Sequence, residues 1–325
     1  MTAASRVRPP VACVGETMAA LVPDPAAPLE EAAGLGVRIA GAESNVAVYL
    51  AGHGVPARWV SALGDDPFGR RIRSEVAAAG VDVSGVRTDP ERPTGLLFKD
   101  PGPDGTRVHY YRRGSAASAL TADVLEEDAV RTAGLVHLSG ITPALSPGCR
   151  ELVAALLEPP PAERPRPVSF DVNHRPALWP DGTAPAVLLD LARRADITFV
   201  GLDEAQALWG EELKDAEAVR DLLPEPGVLV VKDGATDATA FDATGAHRVP
   251  ARRVDVVEPV GAGDAFAAGF LAGLLRGEST VRALRLGHIT AGAALGVTGD
   301  HGPLPDPARI ARLLDAAPGE WAGDR

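Results

Sequence analysis

Short apolar runs rich in β-branched residues recur at 11–15, 58–63, 134–140, 168–173, 197–202 and 228–232 and read as strands. Helical patterns fall between several of them, at 44–53, 67–80, 149–157 and 183–194. In 44–53 the apolar residues Val46, Val48, Tyr49 and Leu50 precede a glycine near the end. Alternating strands and helices predict βαβ units, and therefore an α/β fold with a doubly wound, mainly parallel sheet. After Arg253 the pattern turns helical, over 260–275, 281–296 and 307–316.

Four segments break this rhythm. Residues 19–22, 36–40, 94–99 and 106–112 read as strands without crossover helices. The last two are joined by Asp100-Pro-Gly-Pro-Asp-Gly105, which predicts an antiparallel hairpin. A small β-sheet lid over the active face accounts for all four, with peripheral edge strands as the alternative. Residues 159–167 form a Pro-rich loop, and no internal repeat or domain linker is evident, so 1–325 is expected to be a single domain.

Composition narrows the function classes. The 325 residues are 46% hydrophobic and 23% charged, an ordinary globular balance. The 32 basic and 44 acidic residues give a net charge of −12, which argues against a nucleic-acid partner or a basic membrane-surface role. Any anion site must therefore be built locally. Lysine occurs only at Lys99, Lys214 and Lys232. Cys13 and Cys149 are too few for a disulfide framework or a cysteine zinc site. Arg6 and Arg8 are followed by no apolar signal core, and no apolar run is long enough to span a membrane, so a cytoplasmic location is expected. The histidines show no metal-ligand spacing, and Ser139 and Ser146 lack the surroundings of a triad.

The most informative segment is Glu258-Pro-Val-Gly-Ala-Gly-Asp-Ala-Phe-Ala-Ala-Gly-Phe270. Gly261, Ala262 and Gly263 open a helix, where bare backbone N–H groups and the helix dipole suit a phosphate or a developing anion. A dinucleotide fingerprint would require glycine at position 266, which is Phe266, and a Walker loop would require Gly-Lys-Ser/Thr. Asp264 stands directly after the glycines instead. It reads either as an acid favoured by the helix dipole or as a base that takes a proton from an alcohol during phosphoryl transfer.

With Pro259, Val260, Phe266 and Gly269 in place, this segment resembles the C-terminal signature of the ribokinase-like (phosphofructokinase B) sugar kinases. The N-terminal signature is matched by Gly41-Ala-Glu-Ser-Asn45, Ala47, Ala51, Gly54, Gly64-Asp-Asp66 and Phe68-Gly69. Three further blocks look like the 2-keto-3-deoxygluconate kinase branch. They are 109–116 with 118–120, 137–146, and Asp171-Val-Asn-His-Arg175 with Leu178 and Trp179. The resemblance implies an ATP- and Mg²⁺-dependent kinase acting on the terminal hydroxyl of a sugar acid. Asp264 would be the catalytic base, and Gly261, Ala262 and Gly263 the anion hole. Gly41, Asn45, Tyr110, Arg112, Arg175 and Asp300 would lie on the substrate side. A guanidinium suits a planar carboxylate, and Arg112 and Arg175 fall at strand ends. A homodimer or higher homo-oligomer paired through the lids is expected, because relatives dimerise this way.

The nucleotide side departs from the family pattern. Gly201 replaces the polar residue usual before Glu204, whose carboxylate would help organise Mg²⁺ through water. Lys232 and Gly234 survive, but Asp237 replaces a glycine, Glu258 stands where Asp is usual, and His288 stands where Asn occurs near the base. Gly201, Lys232, Gly234, Asp237, Gly261, Gly263 and His288 form the nucleotide-side set. Two alternatives stay open: a kinase for a neutral sugar, of fructokinase or ribokinase type, and a non-catalytic sugar- or nucleotide-binding relative.

Overall fold

The structure is a computed structural model that describes residues 9–102 and 105–323; Arg6 and Arg8 lie outside them. Among the described residues thirteen strands run β1 (Val11–Val14), β2 (Met18–Pro23), β3 (Leu35–Ala40), β4 (Ala57–Gly64), β5 (Val86–Asp89), β6 (Leu96–Gly102), β7 (Gly105–Tyr111), β8 (Leu135–Ser139), β9 (Val168–Asp171), β10 (Ile197–Gly201), β11 (Val228–Asp233), β12 (Asp237–Asp242) and β13 (Gly245–Pro250). Nine form one sheet in the order β13-β12-β11-β10-β9-β8-β1-β4-β5. The seven from β11 to β5 are parallel, and β12 and β13 close one edge as an antiparallel hairpin.

Helices cover both faces, and the central strands β1, β8, β9 and β10 bury residues on both sides. In β1, Val11 and Cys13 join one core while Ala12 and Val14 join the other. The Ala42–Gly52, Ala262–Leu275 and Thr280–Leu295 helices pack on the first face, and the Pro147–Leu157 and Ala184–Arg194 helices on the second. The Ala262–Leu275 and Thr280–Leu295 helices approach closely at Gly269, where an added Cβ would lie 2.4 Å from Thr290 Oγ1 and 2.5 Å from the Leu286 carbonyl. Among the described residues no helix is long and apolar enough to cross a membrane.

The remaining four strands form a second sheet, β3-β2-β6-β7. It contains all four irregular segments noted in the sequence. β2 leaves the C-terminal end of β1 through residues 15–17, and β3 returns directly to Gly41 and the Ala42–Gly52 helix. The lid is therefore tethered at the carboxyl ends of the parallel strands, the side where open α/β sheets bind ligands.

Three details differ from the sequence expectation. The hairpin linker is shorter than 100–105, since Asp100 pairs with Arg107 and Gly102 with Gly105; the rest of that linker lies outside the described residues. β7 ends at Tyr111, so Arg112 follows the strand instead of ending it. Strands β5, β12 and β13 are additions to the sequence expectation, because they carry Asp, Arg or Gly in place of a continuous apolar run.

Candidate active site

A cavity of about 1090 Å³ opens between the lid and the carboxyl ends of the strands. Leu97, Lys99, Val108 and Tyr110 line it from the lid, because alternate residues of β6 and β7 face inward. The opposite wall comes from the turns after β9, β10 and β11 and from the start of the Ala262–Leu275 helix.

That helix begins at Gly261, whose φ of 82° is a left-handed conformation suited to glycine. An added Cβ there would also meet Asp300, with its carbonyl oxygen at 3.1 Å. The Ala265 N–H donates to the Gly261 carbonyl at 2.9 Å, and the Ala262 N–H makes a long 3.4 Å bond to Pro259. Gly263 and Asp264 thus supply the first-turn amides that an anion can use.

Asp264 is 8% exposed and held from two sides. Asn45 Nδ2 donates to its Oδ2 at 2.8 Å, and Asn173 Nδ2 donates to its Oδ1 at 3.0 Å. Burial pushes its carboxyl up from the usual 3.8 to about 7; the Asn45 hydrogen bond pulls the other way, while Asp171 adds to the rise. A buried acid poised near neutrality suits proton abstraction. With both Nδ2 groups turned to the carboxylate, the Oδ1 atoms of Asn45 and Asn173 are buried without a protein partner. They are suitable acceptors for the hydroxyls of a polyol.

Asp300 joins this cluster, accepting from Asn45 Nδ2 at 3.1 Å. Burial raises its pKa, against which the Asn45 hydrogen bond and the nearby Lys99 act. Gly41 lies behind the site, where an added Cβ would approach the Glu16 carbonyl and Thr17 Oγ1 at 2.5 Å. Tyr110 and Arg175 reach the cavity wall, and the Arg175 side chain is 44% exposed.

Arg112 is placed differently from the sequence expectation of an open carboxylate receptor. Its Nε donates to Glu16 Oε2 at 2.6 Å, and Glu16 and Arg112 are both buried. Its guanidinium carbon lies 5.7 Å from the Tyr110 ring centre. A buried carboxylate needs such a partner, so Arg112 braces the wall that Tyr110 presents to the cavity.

At the far end, Lys232 Nζ donates to both oxygens of Asp171, at 3.2 and 3.0 Å. Burial opposes the ammonium, but Asp171, Glu204 and Asp264 outweigh it and raise its pKa. Gly263 faces this lysine, with an added Cβ 3.5 Å from Nζ. Glu204 holds two backbone turns, accepting from His174 N–H at 3.0 Å and Gly201 N–H at 2.8 Å. A Cβ at Gly201 would come 2.5 Å from Oδ1 of the exposed Asp203 side chain, so a larger residue fits there only if Asp203 turns away. Gly234 turns with a φ of 48°.

Asp237 lies on the wall, but Arg248 Nε donates to its Oδ2 at 2.8 Å. The neighbouring strand therefore neutralises the acid that replaces a glycine. His288 also lines the cavity, where burial lowers its pKa to about 4. Its Nε2 lies 3.1 Å from the Val249 carbonyl and its ring is edge-on to Phe266, an arrangement that orients a neutral imidazole.

The match to a family model decides what this arrangement belongs to. The pfkB family carbohydrate kinase model covers residues 9–307. The chain belongs to the pfkB family of carbohydrate kinases. It is 37% identical over 308 residues to the 2-dehydro-3-deoxygluconokinase of Bacillus subtilis strain 168, covering 93% of this chain and 94% of that protein. It is also 37% identical over 296 residues to the enzyme of that name from Thermoproteus tenax, covering 89% of each. The crystal structure of a PfkB protein from Polaromonas sp. JS666 superposes with a TM-score of 0.81 at 36% identity, covering 95% of this chain and 100% of that one.

This pfkB chain carries site residues that its sequence alone did not single out. Asp171 and Asn173 lie inside a block matched as a whole, so their separate contacts with Lys232 and Asp264 were hidden. Glu16 gave no signal beyond its place after the first strand. Lys99 was marked only by the rarity of lysine, yet it lies 5% exposed on the cavity wall.

Proposed function

We propose that this pfkB kinase transfers the γ-phosphoryl group of ATP to the terminal hydroxyl of 2-keto-3-deoxygluconate. Two curated relatives named for this reaction, each 37% identical over most of their length, support the choice of sugar. The observation that carries the chemistry is Asp264, a buried carboxyl poised at about 7 beside the first amides of the Ala262–Leu275 helix.

In this reading the whole chain acts as one catalytic unit with its lid. The keto sugar acid lies beneath Tyr110, with its carboxylate toward Arg175 and its hydroxyls shared among Asp300 and the two asparagine carbonyls. The terminal hydroxyl points at Asp264. As its oxygen bonds to the γ-phosphorus, the bond from phosphorus to the β,γ-bridging oxygen breaks, and Asp264 takes the proton. The amides of Gly263 and Asp264 face the charge that spreads over the transferring group, and Lys232 lies behind them. ADP and the phosphorylated sugar acid are the products. The lid covers the cavity and excludes water, which limits transfer to solvent.

The donor set fits Mg²⁺ brought with the nucleotide. Asp171 and Glu204 offer hard carboxylate oxygens on the cavity wall, and no group of three metal-ligating side chains forms a cage among the described residues. Magnesium is commonly held by one or two carboxylates, water and substrate phosphates. Asp171 and, through water, Glu204 would hold it, and it would neutralise phosphate charge.

A coupled assay for ADP release, run with ATP over a panel of sugar acids and neutral sugars, tests the proposal. Turnover is expected with 2-keto-3-deoxygluconate. Turnover of fructose or ribose without turnover of any sugar acid would overturn the assignment.

A further inference from the structure

The Glu258 carboxylate joins three parts of the site that approach from distant places in the chain. Its Oε1 accepts a hydrogen bond from Lys99 Nζ on lid strand β6. Its Oε2 accepts from the Gly299 N–H at 3.0 Å, next to Asp300. Its own backbone leads through Pro259 and Val260 into Gly261, which packs against Asp300. One side chain thereby ties the lid, the Asp300 loop and the anion loop together.

Charge gives the contact its direction. Asn45 joins Asp264 to Asp300, Lys99 lies beside both Asp300 and Glu258, and the proposed reaction brings further negative charge to Asp264. Lys99 Nζ lies 4.0 Å from Asp300 Oδ1 as well as against Glu258. Both members of the Lys99–Glu258 pair are largely buried, with side-chain exposures of 7% and 15%. An ion pair held away from water is specific in its geometry and costly to break from one side. Lys99 is carried by lid strand β6 on the cavity wall, so a movement of β6 away from the cavity would separate it from Glu258.

We propose that Lys99 is a positioning residue that transmits lid closure to the anion loop through Glu258. Closing the lid brings the ammonium to Glu258, which fixes the Gly299–Asp300 backbone and the entry to Gly261. The phosphoryl-binding amides are then in place only when the sugar is covered. The role rests on the kinase reading above, but its physical core is a coupling between two segments of the protein, which can be measured without any substrate.

Hydrogen exchange on the full chain tests that coupling directly. In Lys99→Met, the amides of β6 and, in the two loops, those of Gly299, which donates to Glu258, and Ala265, which donates to Gly261, are expected to exchange at least ~10-fold faster, while those of β9 and β11 keep their wild-type rates. Glu258→Gln should loosen the same segments, and Lys99→Arg should restore protection; these variants also carry the test if Lys99→Met fails to fold. In turnover, kcat/KM for the sugar acid should fall roughly 30-fold in either single variant, with KM for ATP changed less than about threefold. The Lys99→Met/Glu258→Gln double variant should lose no more than either single one. Faster exchange confined to the lid hairpin, or single losses that multiply in the double variant, would overturn the coupling. A wild-type protein that phosphorylates no sugar would defeat the kinase reading alone, and the exchange result would still decide this one.

Discussion

Asn173 donates to Asp264 Oδ1 at 3.0 Å from a backbone with a φ of 39°, left-handed for a non-glycine residue. Asparagine tolerates this region better than most residues, but the conformation still carries a cost. Asn45 holds the other carboxylate oxygen from a helix 219 positions away in sequence. The two amides fix the orientation of the carboxylate, and so of the lone pair proposed to meet the sugar hydroxyl, because each can donate only along its own N–H axis.

Replacing Asn173 with glycine separates conformation from contact. Glycine adopts a positive φ readily, so the thermal midpoint of Asn173→Gly should stay within a few degrees of wild type. Turnover should fall by ~10- to 100-fold, since one of the two guides of Asp264 is gone. Thermal melting and kcat measured on the same preparation check this. A fall in melting temperature with unchanged kcat would make Asn173 a structural residue only.

Asp264→Asn should separate activity from stability in the opposite sense. The carboxyl is raised from 3.8 to about 7 in the folded chain. Between those values the folded protein holds a proton that the unfolded chain releases. Stability therefore falls as pH rises through that window, and the full penalty is present above 7. Removing the ionisable group removes a penalty on the order of 2–4 kcal/mol at pH 8. Loss of the base should lower kcat by ~10³-fold or more, while the protein melts a few degrees higher at pH 8 and nearly unchanged at pH 4. Calorimetry at the two pH values, beside the kinase assay, reads both effects.

In the proposed reaction the same group sets the pH dependence of catalysis. Because Asp264 must be ionised to accept the proton, kcat/KM for the sugar should rise about tenfold per pH unit below 7 and level off above it. The Asp300 charge contributes to the elevation. Asp300→Asn should therefore move the inflection to lower pH as well as raise KM for the sugar. An inflection near 4 in the wild type would show that the carboxyl governing the rate is not raised by burial, and its loss in Asp264→Asn would decide whether that carboxyl is Asp264.

Much of this site was legible in the sequence because its parts are contiguous. The 258–270 segment combines a loop, a helix start and an acid, and the structure places Asp264 where those features meet. Alternation of apolar runs also exposed the central parallel strands, each of which buries both faces. Pairings between distant segments were not legible. Nothing near Arg112 signals that Glu16, 96 positions earlier, occupies its guanidinium, and nothing near Asp237 signals Arg248 on the next strand. Strands β12 and β13 were missed for a related reason, since an edge hairpin need not carry the apolar run of a central strand. The rarity of lysine is itself a signal, since two of the three, Lys99 and Lys232, line the cavity.

Lys232 and Asp171 form a buried pair whose members fail differently when separated. Lys232→Met leaves the Asp171 carboxylate, 2% exposed, without its cation and should cost ~3–5 kcal/mol of stability. Adding Asp171→Asn removes the stranded charge, so the double variant should recover most of the lost stability. It should not recover activity, because the cation behind the transferring phosphoryl group and a carboxylate proposed to hold Mg²⁺ are both missing. Denaturant unfolding of the single and double variants, with kcat for each, distinguishes this from a purely structural pair, which would recover both.

The two arginines expected to read the sugar carboxylate should separate in the same way. Arg112 is directed at Glu16, which is 2% exposed and also accepts from Ser115 Oγ. Truncating Arg112 to alanine strands that carboxylate in the interior, with an expected loss of ~3–5 kcal/mol whatever the substrate. Arg175 stands on the cavity wall, largely in water, and its own contacts are slight: a 3.1 Å bond to the His174 carbonyl and a 3.9 Å approach to Glu204. Arg175→Ala should leave unfolding within about 1 kcal/mol of wild type. It should raise KM for the sugar acid more than ~10-fold, because a carboxylate loses its guanidinium partner, and should change KM for a neutral sugar far less. Steady-state kinetics on one acidic and one neutral sugar, with denaturant melts of both variants, separate the roles. An Arg175→Ala protein with unchanged KM for the acid would move carboxylate recognition to another group on the wall.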